Sequence, residues 1–255
     1  MLEATEEYRA QEKLPANTPL AYAGRLDPMA EGKLLILIGD ECKKLKAYTG
    51  LDKEYSFEIL FGFSSDTGDV LGLATKDEIT KMLTKNDVRR VTKKFVGTHT
   101  FPYPRFSSKT VQGKPLHRWA LEGRLDEIKI PVRESRIYRI EANDMCTVKT
   151  DELQKTIYDK IQMLAPVTDP EKAWGADFRR GPIMEQWENI LKNSPQDTFY
   201  IARMSAIVSS GTYIRTLAEK IAETLGTHGL AYSITREKIG KYVSFGPVGF
   251  WMKSF

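Results

Sequence analysis

Cysteine and histidine are scarce, with two Cys and three His among 255 residues. Cys42 and Cys146 lie far apart without a CxxC pattern, and His99, His117 and His228 stand singly. Neither a disulfide framework nor a zinc site is expected from such spacing, and no cofactor or metal is anticipated. Long hydrophobic runs are missing too. The longest, Leu34 to Ile38, is far too short for a bilayer, and Met1 is followed by Glu3, Glu6 and Glu7 rather than by basic residues. Membrane-spanning and secretory readings are excluded on this basis, leaving a cytoplasmic protein as the expectation.

What is present is 41% hydrophobic and 28% charged, the composition of a globular protein with enough chain for a large core. The net charge is +4, and all of it lies in residues 201–255. There Arg203, Arg215, Lys220, Arg236, Lys238, Lys241 and Lys253 face only Glu219, Glu223 and Glu237. A localised basic segment suits a polyanion, although it is equally common on proteins that bind none.

Strand and helix patterns alternate without repeats. Helical character is read from Glu3 to Gln11, a buried strand over Leu34 to Ile38, and a half-buried strand in which Tyr55, Phe57, Ile59 and Phe61 alternate with Ser56, Glu58, Leu60 and Gly62. Thr75 and Glu78 suggest a capping box for a helix through Leu83, and Asn86 a cap for a helix through Phe95. A short helix is expected between Pro115 and Gly123, and strands over Ile137–Glu141 and Tyr200–Val208. Asp151 to Asp197 differs in character, with helical apolar spacing at Leu153, Ile157, Ile161 and Leu164 and again at Ile183, Trp187, Ile190 and Leu191. It reads as a helical insertion. After Ser209, Ser210 and Gly211, the stripe Ile214, Leu217, Ala218, Ile221, Ala222 and Leu225 marks a further helix. The fold class is therefore α/β (α+β), one domain with an inserted lobe.

Three groups of residues could carry chemistry. In Gly24, Arg25, Leu26, Asp27 and Pro28, the aspartate reads either as an N-cap with proline at the first helical position or as a nucleophile or base in a fixed loop. In Asp52, Lys53, Glu54 and Tyr55, the tyrosine is either a core aromatic or a flat face for a base with a phenol for proton transfer. In Gly211, Thr212, Tyr213, Ile214 and Arg215, the arginine sits in a first helical turn, where the macrodipole disfavours it, so it needs a carboxylate partner, structural or catalytic.

Together the three are more specific than any alone. AGRLDPMAEGKLLILIGDECKK (23–44), DKEYSFEILFGFSSDTGDVLG (52–72) with its acidic loop at Asp66, Thr67 and Asp69, SSKTVQGKPLHRWALEG (107–123) and SSGTYIRTL (209–217) resemble, in the same order, the motifs of the TruB family of pseudouridine synthases. That family isomerises a uridine in the tRNA T-loop. The resemblance implies its fold, a mixed and largely antiparallel sheet flanked by helices, and an isomerase of tRNA pseudouridine(55) synthase type. Its partner would be RNA, with no obligatory protein partner. It implies catalytic roles for Asp27, for Tyr55 stacked on the target base, and for Arg215 paired with the aspartate. It also implies substrate-side roles for Arg25, Lys53, Tyr213 and Ile234.

The sequence departs from the family pattern at Tyr22 and Ala23, where histidine and threonine are usual, and in the insertion at 151–197. Two further departures are expected at the ends: no C-terminal RNA-binding (PUA) domain after Phe255, and no Lys-Pro strand before the first helix, which would leave a sheet edge unpaired and the start site in question. The rival readings are the same isomerisation on another RNA, ribosomal RNA included, and a non-catalytic RNA-binding or chaperone protein retaining the fold. Breaking the N1–C1′ bond, turning the base, joining C5 to C1′ and removing the C5 proton involves no redox change. One carboxylate, one arginine and one tyrosine suffice for it.

Overall fold

The computed structural model describes residues 2–77, 82–164, 179–245 and 248–255. Helix α1 (Leu2–Gln11) is followed by three short strands, β1 (Leu20–Ala23), β2 (Ala30–Gly32) and β3 (Leu35–Ile38). β1 and β3 pair antiparallel as a two-stranded ribbon outside the main sheet. The run at 34–38 is thus a strand, but not the buried one expected. Only Leu37 is buried and Ile38 is 37% exposed, because a two-stranded ribbon cannot cover both its faces.

A 3₁₀ turn and α2 (Leu45–Thr49) lead into β4 (Asp52–Phe61). Phe57, Ile59 and Phe61 are buried on one face as the alternation requires, and Leu60 is buried as well, so the end of the strand is covered on both sides. β5 (Phe63–Ser65) and β6 (Ala74–Lys76) then pair across the loop 66–73. Thr75 is therefore a strand residue opposite Ser64 rather than a helix cap, as its β-branched side chain favours. Glu78 lies outside the described residues. The capping box falls one step later: Thr84 accepts from the Asp87 amide and its own amide donates to the Asp87 carboxylate, opening α3 (Lys85–Thr92), with Asn86 inside the first turn.

Next come β7 (Gly97–Pro102), the small β8 (Thr110–Val111) and β9 (Lys114–Pro115) pair, and α4 (Leu116–Leu121). β10 (Val132–Lys149) is much longer than the expected 137–141. Register shifts at Ile137/Arg139 and Ala142/Asp144 break its alternation, which hides its length in the sequence. The helical spacing in 151–197 corresponds to α5 (Thr150–Gln162) and α6 (Arg180–Lys192), packed on each other, with Leu153, Ile157, Ile161, Ile183, Trp187 and Leu191 buried. β11 (Thr198–Val208), α7 (Ile214–Thr224), β12 (Gly229–Phe245) and β13 (Val248–Ser254) complete the chain. No helix among the described residues is long and apolar enough to cross a membrane.

The main sheet runs β13-β12-β4-β11-β10-β7, antiparallel throughout, with β2 added parallel to β12. α7 packs on β12 and β4, and α3 on β10 and α7. The apolar stripe of α7 (Ile214, Leu217, Ala218, Ile221, Ala222) meets the buried side chains of β4 and β11 in one continuous core.

The parallel graft of β2 fixes the segment 24–33. Ile234, Thr235 and Arg236 face Ala30, Glu31 and Gly32, and the Lys33 amide donates to the Arg236 carbonyl at 2.9 Å. Gly32 has φ +98°, and a Cβ there would lie 2.4 Å from the Arg236 carbonyl oxygen, a backbone atom that cannot swing aside. Gly39 also has positive φ (+59°), but with nothing within 4 Å of its Cβ position. Gly32→Ala should therefore lose roughly 2–4 kcal/mol and Gly39→Ala only about 1 kcal/mol in urea unfolding. Equal losses at the two sites would refute the close-packing argument.

Candidate active site

The turn at Asp27 starts no helix. The Ala30 amide donates to the Asp27 carbonyl at 2.9 Å and the chain proceeds directly into β2, so the N-cap reading of Asp27 is overturned and its carboxylate is available for other partners. Those partners come from α7. Arg215 donates from Nε to Asp27 Oδ2 at 2.9 Å and from Nη2 to Asp27 Oδ1 at 2.8 Å, a two-pronged pair between residues 188 apart in the chain. Arg215 is 3% exposed. Its remaining donors are also engaged: Nη1 with the Thr67 carbonyl at 2.6 Å and Nη2 with the Phe106 carbonyl at 3.3 Å.

A second carboxylate stands behind the first. Asp69 lies with Oδ2 3.6 Å from Arg215 Nε and accepts from the Thr67 hydroxyl (2.7 Å) and the Leu71 amide (2.9 Å). Burial pushes its pKa up, against the pull of Arg215. For Arg215 burial opposes the charge, but Asp27 and Asp69 outweigh it and the guanidinium is held protonated. The arginine is thus a shared cation, with Asp27, a quarter exposed at its side chain, facing the cleft.

β4 supplies the opposite wall. Tyr55 lies opposite Arg236 of β12 and Ala206 of β11, and its phenol pKa is raised by burial, with Arg236 acting in the other direction. Ile234, two residues before Arg236, is buried opposite Phe57 and lines the cleft. Tyr213, at the start of α7, meets Tyr103 edge-on at 5.7 Å. Arg25 lines the cleft and donates to the Tyr22 hydroxyl at 3.4 Å. Lys53 is in the wall but turned to the backbone. Its ammonium donates to the Thr49 and Leu51 carbonyls, and burial, then the charge of Arg236, lowers its pKa to about 8.

All seven residues singled out from the sequence, Asp27, Tyr55, Arg215, Arg25, Lys53, Tyr213 and Ile234, line one cleft of about 1640 Å³. The source of its charge differs from the expectation. Of the basic segment 201–255, only Arg215 and Arg236 reach the cleft, while Arg203, Lys220 and Lys238 are paired with Glu58, Glu223 and Glu54. Lys43, Lys46, Arg118, Arg133 and Arg179 join Arg25 and Lys53 from residues 1–200, which are neutral in total. The described cleft-lining residues thus include nine Lys or Arg against two Asp. Summed charge cannot reveal this, because it does not say which side chains line the cleft.

Sequence reasoning also missed Arg236. It is 1% exposed, donates from Nε to the Lys33 carbonyl (2.7 Å) and from Nη1 to the Gly24 carbonyl (3.1 Å), and so clasps both ends of the segment that carries Asp27. The available signal was an arginine inside an apolar strand pattern, two residues after Ile234.

Glu219, one turn beyond Arg215, is pushed up to about 7 by burial against the pull of Arg215. Between its ordinary value of 4.5 and about 7 the folded protein holds a proton that the unfolded chain releases, so stability from this group falls as pH rises through that window. Glu219→Gln should melt a few degrees higher than wild type at pH 8 and show no gain at pH 4. A constant difference across the range would contradict the assignment.

Comparison with known proteins bears on what this arrangement serves. Residues 13–157 match the family described as TruB family pseudouridylate synthase (N terminal domain). Relatives include a Saccharomyces cerevisiae protein named tRNA pseudouridine synthase 4, 32% identical over 230 residues, covering 81% of this chain and 57% of that protein. Another is tRNA pseudouridine synthase B of Caldicellulosiruptor saccharolyticus, 27% identical, covering 88% and 59%. The chain thus spans under two thirds of the length of these curated relatives. In fold it is similar to a chain in the crystal structure of a Cbf5-Nop10-Gar1 complex, with a TM-score of 0.51 at 15% identity, over 93% of this chain and 44% of that one. The family match covers more than half of the sequence and includes the Asp27 and Tyr55 segments, and the chain belongs to the TruB family of pseudouridylate synthases.

Proposed function

We propose that this protein isomerises a uridine of tRNA to pseudouridine, at the T-loop position 55, with Asp27, Tyr55 and Arg215 as its catalytic residues. The observation that carries the proposal is the two-pronged Arg215–Asp27 pair at the floor of a basic cleft. A carboxylate fixed in orientation by two hydrogen bonds from a permanent cation is presented where a nucleoside enters, ready to act on the sugar as the N1–C1′ bond breaks. Tyr55 and Ile234 supply a flat and an apolar surface for the base, and the Tyr55 hydroxyl relays the C5 proton to water once C5 has joined C1′, releasing its own proton as it takes that one. Tyr213 and Arg25 flank the entry. Lys53 acts on substrate through charge and by supporting the wall, since its ammonium is engaged by two carbonyls.

The target lies inside a folded RNA and must be turned out of its stack, which the net positive lining of the cleft favours by attracting the flanking phosphates. Residues 151–197 are read as an insertion in a single catalytic domain, acting in the cytoplasm without an obligatory protein partner.

Asp27→Asn should remain folded and bind RNA but form product at least ~10³-fold more slowly, since the amide keeps the shape and loses the charge. Tyr55→Phe should keep RNA affinity and fail to release tritium from 5-labelled uridine. Arg215→Met should be inactive, with Arg215→Lys restoring only part of the rate because a point charge cannot make both contacts. Carbodiimide mapping of tRNA and ribosomal RNA incubated with the purified protein locates the modified position. Modification of ribosomal RNA alone would overturn the tRNA assignment, and unimpaired Asp27→Asn would overturn the mechanism.

A further inference from the structure

The two carbonyls that hold Arg215 belong to Thr67 and Phe106, in segments that are not neighbours in sequence. One side chain touches both segments. Arg179, at the start of α6, forms a two-pronged ion pair with Asp66, the residue before Thr67, and lies over the Phe106 ring with its guanidinium carbon 4.6 Å from the centroid. Its backbone is left-handed at φ 57° and ψ 31°, a conformation that costs a non-glycine residue energy and that these contacts sustain. The insertion grips the same loop further along. The Trp187 indole donates to the Val70 carbonyl at 3.1 Å, and Gln186 donates to the Ala74 carbonyl. Within the loop the Leu73 amide donates to Asp66, so the loop is cross-braced as well as held from outside.

We infer that Arg179 is a positioning residue of the active site: through Asp66 and Phe106 it sets the Thr67 and Phe106 carbonyls that orient Arg215, and Arg215 orients Asp27. The helical insertion is therefore a brace for the catalytic pair. This deepens the functional reading above and rests on it for its kinetic consequence, while the structural consequence can be read without substrate. An arginine is suited to the task because its plane can stack on a ring while its edge engages a carboxylate. A lysine could satisfy Asp66 but would not cover Phe106 in the same way.

The experiment compares wild type with Arg179→Met, Arg179→Lys, Asp66→Asn and the double variant Arg179→Met/Asp66→Asn. The first readout is hydrogen exchange of the Arg215 Nε–H by NMR in the RNA-free protein, assigned by its loss in Arg215→Lys. It should be slow in wild type, at least tenfold faster in Arg179→Met and Asp66→Asn, and intermediate in Arg179→Lys. The second is pseudouridine formation, for which kcat should fall about tenfold with KM within about twofold. The double variant should be no worse than either single one, because both break the same link. Unchanged Nε–H exchange, or a raised KM with kcat intact, overturns the inference and makes Arg179 an RNA contact instead. Should Arg179→Met fail to fold, Asp66→Asn decides the matter from the other side of the pair. A wild-type protein that forms no pseudouridine yet shows the exchange pattern refutes the functional reading and leaves the positioning role standing.

Discussion

A permanent cation removed from water must be met by acceptors on every side, and Arg215 imposes that constraint on the rest of the molecule. With 3% of its surface exposed, it draws in a carboxylate from the 24–33 segment, another from the 66–73 loop, and carbonyls from that loop and from Phe106. Leaving any of these unmade costs the desolvation of a charge rather than of a neutral group, so the three segments are bound to one arrangement around α7. The geometry of the Asp27–Arg215 pair and the local fold are the same set of bonds. The left-handed backbone at Arg179 is a strain accepted to keep that set intact, and the close approach at Gly32 is met by a residue with no side chain.

The core is ordinary by comparison. β4 and β11 at the middle of the sheet contribute Phe57, Ile59, Leu60, Phe61, Ala202, Met204 and Val208, and α7 covers them with an apolar stripe. The unusual feature is the placement of three polar constellations at one end of this sandwich. Tyr55 and Lys53 are at the start of β4, Arg236 is opposite them on β12, and Arg215 opens α7 just after β11. Each is anchored by the regular structure next to it, so the cleft inherits the rigidity of the sheet.

Much of this was legible in the residues. The alternation at 55–61, the strand at 200–208, the stripe of α7 and the helical spacing at 153–164 and 183–191 all correspond to observed elements, because each segment buries its apolar residues in the core. The Asp27, Tyr55 and Arg215 segments were legible as motifs. What failed did so for reasons of context. Asp-Pro carries a helix-start signal, and only the parallel pairing of residues 30–32 with β12 overrides it. The 34–38 run is apolar on both faces yet sits in a ribbon too narrow to bury it. Charge counted along the chain pointed to the C-terminal segment, whereas charge in the cleft is decided by which side chains the fold turns toward it. Arg179 left no trace beyond being an arginine and Arg236 only its place in an apolar strand pattern, since their meaning lies in carbonyls and rings more than 70 residues away.

The three-residue graft of β2 onto β12 has a consequence for the order in which the molecule is made. Both ends of the segment carrying Asp27 are tied to Arg236, more than 200 residues later, and β4 finds its two sheet neighbours about 140 and 180 residues downstream. During synthesis the first third of the chain therefore emerges with its aspartate unplaced and its central strand without a partner on either edge. Such a nascent chain presents an unpaired strand on both edges, and the placing of Asp27 and the closing of the sheet fall in the same late event.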